Sequence, residues 1–179
     1  GNVTFLFTDI EGSTRLAQDF PESLPAALEK HHAIMHKATE SNNGFVFEIE
    51  GDAFCCAFQS AEEALNAAAE AQRLLSAEKW EKTDIKVRMG IHSGDAEFVN
   101  QDYVGYVTLS RSSRIMSIAY GGQILITQEV FEAVKHDMEG KISFKDFGER
   151  KLKDIVLPEH VYQIVAENIP SEFPPLKSQ

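Results

Sequence analysis

The chain of 179 residues has few cysteines and few basic residues, and each shortage excludes a class of protein. The two cysteines, Cys55 and Cys56, are adjacent, and neighbouring strand residues point to opposite faces, so a disulfide between them is disfavoured and a reducing, cytoplasmic location is predicted. Lys and Arg number 17 against 28 Asp and Glu, which gives a formal net charge of −11. This charge argues against binding nucleic acid through its phosphates and against a basic patch for membrane surfaces.

Long hydrophobic runs are also absent. No apolar stretch reaches the roughly 18 to 20 residues of a membrane-spanning helix, and the N-terminal sequence has neither a basic region nor a small-residue cleavage site, so membrane contact and secretion are not predicted. The sequence contains no Gly-x-x-x-x-Gly-Lys-Ser/Thr motif, so P-loop hydrolysis of nucleoside triphosphates is not supported. The length suits one domain with a single core.

The order of apolar patterns predicts a ferredoxin-like fold. In chain order, the predicted elements are a strand over 3–8, a helix over about 24–38, strands over 45–50 and 53–58, a helix over 61–77 and a strand over 85–92. Ser60 and Glu63 form a capping box at the start of the second helix. The resulting order, β-α-β-β-α-β, is that of an α+β sheet with its helices on one face.

A C-terminal extension follows this core. Its predicted elements are a helix over about 106–118, a turn at 121–122, a strand over 123–127, a helix over 129–135 and antiparallel strands over 142–147 and 160–165. We therefore expect one folded domain over residues 1–166. The remaining segment, 167–179, is rich in proline and has no periodicity, so it is predicted to be a linker that leads to a further domain.

Two carboxylates are predicted to lie at neighbouring strand ends. Asp9 follows the first strand, and Asp52 lies at the tip of the hairpin that joins the next two strands. Two carboxylates beside a turn with free backbone N–H groups suit a Mg²⁺ ion that carries a polyphosphate. The residues alone also allow a simpler interpretation, in which Asp9 caps a helix, Asp52 is a turn residue and Glu11 is a first-turn acid.

Five ordered motifs extend this pattern over nearly the whole chain. They are FTDIEGST at 7–14, EIEGDAF at 48–54, GIHSGDAE at 90–97, a block that runs from DYVG at 102–105 to RSSRIM at 111–116, and GGQILIT at 121–127. In this order and with these gaps, the motifs closely resemble those of class III nucleotidyl cyclase catalytic domains of bacterial type. The resemblance implies conversion of ATP, or of GTP, to the 3′,5′-cyclic nucleotide and pyrophosphate.

The resemblance also implies a metal and phosphate site. In this family the two matching aspartates, here Asp9 and Asp52, bind two divalent ions, Mg²⁺ or Mn²⁺, with help from the carbonyl of Ile10. One ion lowers the pKa of the ribose 3′-hydroxyl, and the other neutralises the triphosphate and the departing pyrophosphate. The turn of Glu11, Gly12, Ser13 and Thr14 is expected to present N–H groups to the β- and γ-phosphates.

Further site residues follow from the fourth motif and from the C-terminal extension. The family's transition-state arginine, contributed by the opposite subunit of a homodimer with composite sites, matches Arg114. Ser110 stands where the family normally has an asparagine that orients the ribose, and its hydroxyl is shorter. Lys153 falls where the family places a phosphate-binding lysine, although an exposed strand lysine is an alternative interpretation.

The base-reading positions match Glu48 and Asp102, or Tyr103 if one extra residue upstream of Ser110 is placed differently. Two acceptors suit the donors of guanine better than the mixed edge of adenine. We nevertheless place ATP ahead of GTP, because bacterial members of the family mostly use ATP. The alternative is a weakly active or inactive domain that binds nucleotide and dimerises. The proline-rich end resembles the linker that joins such domains to a regulatory or ATPase/TPR region.

Overall fold

A seven-stranded sheet forms the centre of the computed structural model, which describes residues 1–136 and 140–177. Its strands are β1 (Asn2–Ile10), β2 (Phe45–Glu50), β3 (Ala53–Phe58), β4 (Val87–Asp95), β7 (Ile124–Thr127), β8 (Ile142–Arg150) and β9 (Glu159–Ala166), and a separate hairpin holds β5 (Glu97–Val99) and β6 (Asp102–Val104). The order across the sheet is β2-β3-β1-β4-β7-β9-β8, with β4 and β7 parallel and the other pairs antiparallel.

Helices cover both faces of this sheet. They are α1 (Ser13–Asp19), α2 (Leu24–Glu40), α3 (Ala61–Ala77), α4 (Tyr106–Ser117) and α5 (Gln128–Val134). The predicted capping box is confirmed, because the Ser60 hydroxyl accepts a hydrogen bond from the Glu63 backbone N–H at 3.1 Å. The predicted β-α-β-β-α-β order and the α+β fold class are confirmed as well.

The two faces of the sheet carry different cores. Leu6 and Ile10 of β1 pack with residues of α2, α3 and α5, whereas Phe5 and Phe7 point to the opposite face, where α4 lies. Gly90 of β4 allows α4 to approach closely, because a Cβ atom there would lie 2.5 Å from the backbone nitrogen of Met116. The prediction that the helices share one face therefore holds for α2 and α3, while α4 covers the other face.

Several element boundaries differ from the prediction. β1 continues to Ile10, so Asp9 lies within the strand, and β4 runs over Val87–Asp95 rather than 85–92. The short helix α1 was not predicted, because it has no buried residue and therefore no apolar periodicity. The β5–β6 hairpin was also not predicted, since its strands have only three residues each.

The proline-rich segment has no helix or strand over 168–177, but it packs against the domain. Ile169 joins the core beneath the helices, and the Tyr120 hydroxyl donates a hydrogen bond to the Pro175 carbonyl at 2.8 Å. The Phe173 ring stacks on Tyr120 with ring centroids 6.4 Å apart. Residues 178 and 179 of the predicted linker lie outside the described residues. Within the described part of the chain, no helix combines the length and apolar composition that crossing a membrane requires.

Candidate active site

The structure brings Asp9, Ile10 and Asp52 together at one end of the sheet. β1 and β3 are antiparallel neighbours, so the hairpin tip that follows β2 lies beside the end of β1. The Ile10 backbone N–H donates a hydrogen bond of 2.7 Å to Asp52 Oδ2, which fixes the second carboxylate next to the peptide that follows Asp9. Both aspartates are partly exposed, so their oxygens are accessible from solvent. Two such carboxylates form a suitable ligand set for divalent cations that prefer oxygen.

Arg88 is part of this group, although no motif in the sequence predicts it. It lies directly opposite Asp9 in the β1–β4 register, and its Nε donates to Asp9 Oδ1 at 2.6 Å. A second guanidinium nitrogen contacts Asp9 Oδ2, and NH1 donates to the Ser117 carbonyl at 3.1 Å. The hydrogen bond with Asp9 raises the pKa of Arg88 above its usual value. Arg88 therefore holds the Asp9 carboxylate in place and joins it to the end of α4.

The turn after β1 has two distinct parts. The Glu11 backbone N–H donates to the Lys86 carbonyl at 2.8 Å, and Glu11 Oε2 accepts from the Gly121 N–H at 2.8 Å, so Glu11 anchors the turn. Gly12 has φ of 66°, in the left-handed region that favours glycine, and α1 then begins at Ser13. The amides of Ser13 and Thr14 precede the first intrahelical hydrogen bond and are directed away from the helix body.

A second group of predicted residues lies where α4 meets the β8–β9 connection. Ser110 and Arg114 are one helical turn apart on α4, and Arg114 donates to Asp154 Oδ2 at 3.2 Å. Lys153 precedes Asp154 and lies beyond the end of β8, so it is not a strand lysine. Within one protomer, Arg114 therefore pairs with Asp154 rather than with Asp9 or Asp52.

The predicted base-reading residues lie around Cys55. Glu48 is opposite Cys55 in the β2–β3 register, and Cys55 is opposite Phe7, which places Glu48 on the α4 face of the sheet. Burial, together with the nearby charges of Glu48 and Asp102, raises the pKa of the Cys55 thiol to about 12. The Tyr103 ring packs against Phe5, with ring centroids 5.3 Å apart, so Asp102 is the more exposed of the two alternatives.

Known proteins match the chain over nearly its full length. A family model described as adenylate and guanylate cyclase catalytic domain matches residues 1–166. Uncharacterised proteins of Mycobacterium tuberculosis and Mycobacterium bovis are 31% identical over 180 residues; the match covers 99% of this chain and 61% of those proteins, so the chain spans about three fifths of their length. An adenylate cyclase of Lachancea kluyveri is 32% identical over 165 residues, which cover 78% of this chain and 9% of that protein.

The fold is also shared with solved structures. An adenylate cyclase from Trypanosoma brucei in its monomeric state superposes with a TM-score of 0.91 at 24% identity, covering 99% of this chain and 95% of that one. The paired aspartates, the order of the strands and the match over residues 1–166 agree with the motifs found in the sequence. The chain therefore belongs to the adenylate and guanylate cyclase catalytic domain family.

Proposed function

We propose that this chain is a catalytic domain that converts ATP, or GTP, to the 3′,5′-cyclic nucleotide and pyrophosphate. The observation that carries the proposal is the hydrogen bond from the Ile10 N–H to Asp52 Oδ2, because it sets the two aspartates side by side in a chain of this family. Asp9 lies in β1 and Asp52 in the turn between β2 and β3, and this hydrogen bond holds the turn beside the end of β1.

We further propose that Asp9 and Asp52, with the carbonyl of Ile10, bind two divalent cations, Mg²⁺ or Mn²⁺. When bound, such ions lower the pKa of the ribose 3′-hydroxyl and neutralise charge on the triphosphate. Arg88 pre-orients Asp9, and each Asp9 oxygen that accepts from Arg88 keeps a second lone pair for a cation. In a chain of net charge −11, local cations are also needed to hold a polyanion.

The remaining contacts of the triphosphate are proposed to come from the turn after β1 and from Lys153. The amides of Gly12, Ser13 and Thr14 are the donors in this turn, because the Glu11 amide already bonds to Lys86. Glu11 itself then supports the turn through Gly121 rather than facing the phosphates.

We propose that the active site is completed by a second copy of the chain in a head-to-tail homodimer. Arg114 would stabilise the charge on the α-phosphate, and Ser110 would contact the ribose, from the opposite subunit. The pairing of Arg114 with Asp154, away from Asp9, supports this arrangement. Large apolar side chains also stay exposed near the start of α4, including Tyr106 at 84%. A partner that covered them would remove this surface from water.

Substrate choice is proposed to depend on Glu48 and Asp102. Their carboxylates are acceptors, which suits guanine. The relatives from Lachancea kluyveri, Podospora anserina and Schizosaccharomyces pombe, in contrast, carry the name adenylate cyclase. We keep ATP as the first substrate to test. We also propose a cytoplasmic location. Because the mycobacterial relatives are longer than this chain, we propose in addition a longer natural chain with a regulatory or ATPase/TPR region.

The direct test is an assay of the purified protein with ATP and with GTP, each with Mg²⁺ and with Mn²⁺, in which cyclic nucleotide and oligomeric state are measured together. Product from either nucleotide supports the proposal. A verified dimer that makes neither cyclic nucleotide contradicts it. Nucleotide binding without product would favour the second candidate, a binding and dimerisation module, which Ser110 in place of asparagine motivates.

Sharing of the site between subunits has its own test. Asp52→Ala and Arg114→Ala should each be inactive, and mixing them should restore activity, because one site of the heterodimer then keeps all its residues. Mixing Asp9→Ala with Asp52→Ala is the matched control and should restore nothing, because both changes fall in the same half of the site. Equal activity in both mixtures would contradict a composite site.

A further inference from the structure

A second group of potential metal ligands lies at the opposite end of β4. His92 follows Arg88 by four residues on the same face of the strand, roughly 13 Å further along it. Glu129 at the start of α5 and Glu159 at the start of β9 approach His92, and Arg111 of α4 lies over the two carboxylates. His92 is 3% exposed and Glu159 is 4% exposed, so these two side chains are buried, whereas Glu129 is exposed to solvent.

The two carboxylates divide their oxygens between His92 and Arg111. His92 Nδ1 lies 3.9 Å from Glu129 Oε2 and 3.9 Å from Glu159 Oε1. The other oxygen of each carboxylate faces Arg111 NH1, at 4.0 Å for Glu129 and 3.6 Å for Glu159. One nitrogen and two oxygens therefore face one another on one side, and the guanidinium holds the carboxylates from the other side.

His92 and Arg111 do not reach either carboxylate at hydrogen-bond distance. The ion pairs of this group, at 3.6 to 4.0 Å, are longer than hydrogen bonds. Glu159 Oε1, the oxygen that faces His92, is buried and has no hydrogen-bond partner within the described ranges 1–136 and 140–177. The direct bond of His92 Nδ1 is to the Thr127 hydroxyl at 2.9 Å. Leaving a buried carboxylate oxygen unpaired is costly, so the arrangement calls for a species between the three groups.

The size and chemistry of the gap suit a first-row transition-metal ion. Metal–ligand bonds of about 2.0 to 2.2 Å place neighbouring ligand atoms roughly 3.0 to 3.6 Å apart. The two oxygens that face His92 Nδ1 at 3.9 Å would therefore move inward by about 0.3 to 0.9 Å, and Nδ1 would exchange its bond to Thr127 for the ion. Imidazole nitrogen with carboxylate oxygen favours Zn²⁺ over Mg²⁺, which prefers oxygen and water. Of the three side chains, Glu129 also borders a cleft of about 460 Å³.

We propose that His92, Glu129 and Glu159 bind a zinc-class divalent ion, with Arg111 holding the outer oxygens of both carboxylates. The ion would join β4, α5 and β9, and through Arg111 it would fix α4, the helix that carries Ser110 and Arg114. This site is separate from Asp9 and Asp52 and does not depend on the proposed cyclase activity.

The test uses the tag-free protein in an Asp52→Ala background, so that the other cation site is disabled. After treatment with chelator and its removal, Zn²⁺ at a hundred times its dissociation constant should raise the unfolding temperature by roughly 5 to 10 °C, while Mg²⁺ should not. Bound Co²⁺ should give the visible absorption of a site with few ligands, and about one Zn²⁺ per chain should remain after dialysis.

Glu129→Gln and Glu159→Gln should each abolish the temperature shift and the Co²⁺ spectrum, with Glu172→Gln as a control that keeps both. Glu129 is the decisive variant if Glu159→Gln does not fold, because its side chain is partly exposed. Failure of the parent protein to retain Zn²⁺, or an unchanged shift in Glu129→Gln, would overturn the proposal and indicate that a shared proton, not an ion, occupies the gap.

Discussion

The two faces of the central sheet use the same strands for different purposes. On β4, Met89 and Ile91 point into the core beneath α2, α3 and α5, while Arg88 and His92 point to the face that α4 covers. On β1, Leu6 faces the first core and Asp9 the second face. Because strand residues alternate between faces, one strand can supply apolar packing to one side and polar ligands to the other.

The difference between the two faces predicts which substitutions reduce the stability of the fold and which reduce the activity of the site. The face beneath α2 and α3 is packed with apolar side chains, including a run of alanines on α3. The α4 face is apolar at its centre, with an arginine and carboxylates at each end. A substitution on the first face should therefore change stability and spare the activity of the folded fraction, and a substitution of a polar residue at either end of the second face should mainly change activity.

The largest expected effect comes from Asp9→Asn. We expect product formation to fall by about a thousandfold or more, because one of the two carboxylates proposed to bind metal loses its charge. The free energy of unfolding should fall by about 1 to 2 kcal/mol, since the amide oxygen still accepts one Arg88 hydrogen bond and the amide NH2 group cannot accept the other.

Leu6→Ala is the matched variant on the other face of the same strand. It should lose about 2 to 5 kcal/mol of unfolding free energy and keep the activity of the molecules that remain folded. Urea unfolding and initial rates on both variants make the comparison. Loss of activity in folded Leu6→Ala, or retained activity in Asp9→Asn, would contradict the division between faces.

The polar residues of the α4 face also show how much of the site the sequence could predict. The order of strands and helices follows from local apolar patterns, and Asp9 and Asp52 mark a strand end and a hairpin tip, both local features. Arg88 becomes visible only through its register opposite Asp9, which depends on how two strands separated by 79 positions align. The group of His92, Glu129 and Glu159 comes from three separate elements, so no spacing in the sequence predicts it.

A pH-dependent effect follows from His31, on the face beneath α2. Its ring is fully buried against Phe54, and neither ring nitrogen has a hydrogen-bond partner among the residues that the structure describes. Burial, with a smaller effect from His32, lowers the pKa of His31 from 6.5 to about 4. The folded protein therefore favours the neutral ring more strongly than the unfolded chain does. The stability that depends on a neutral His31 is fully present above pH 6.5 and is lost as the pH falls through 4, roughly 3 kcal/mol in all.

The measurement is urea unfolding of the wild type and of His31→Leu between pH 4 and 7.5. As the pH falls, the unfolding free energy of the wild type should decrease relative to that of His31→Leu. His36→Leu, a change at a partly exposed histidine of the same helix, serves as the control and should follow the wild type. A difference that does not vary with pH would show that His31 does not titrate as its surroundings require.

Gly90→Ala should affect the α4 face at its centre. The new Cβ would meet the backbone of Met116, so α4 has to move outward and carry Ser110 and Arg114 with it. We expect a loss of about 1 to 3 kcal/mol in unfolding free energy and a fall in activity of about ten- to a hundredfold. Ala68→Val, which overpacks the opposite face, is the control for stability and should retain activity when folded. Equal activity in the two folded variants would show that the position of α4 does not matter for the reaction.

The smallest effect is expected at the edge of the α4 face, where Glu48→Lys should move substrate preference toward ATP by about tenfold in the ATP:GTP ratio of kcat/KM. An ammonium donates where the carboxylate accepts, so it meets the acceptors of adenine and repels the donors of guanine. Glu50→Lys makes the same change of charge two positions along β2 and on the same face, which tests whether general electrostatics is sufficient. If both variants change the ATP:GTP ratio equally, the general electrostatic field around the site determines substrate preference. A change in Glu48→Lys alone assigns base reading to that position, and an unchanged ratio removes Glu48 from this role.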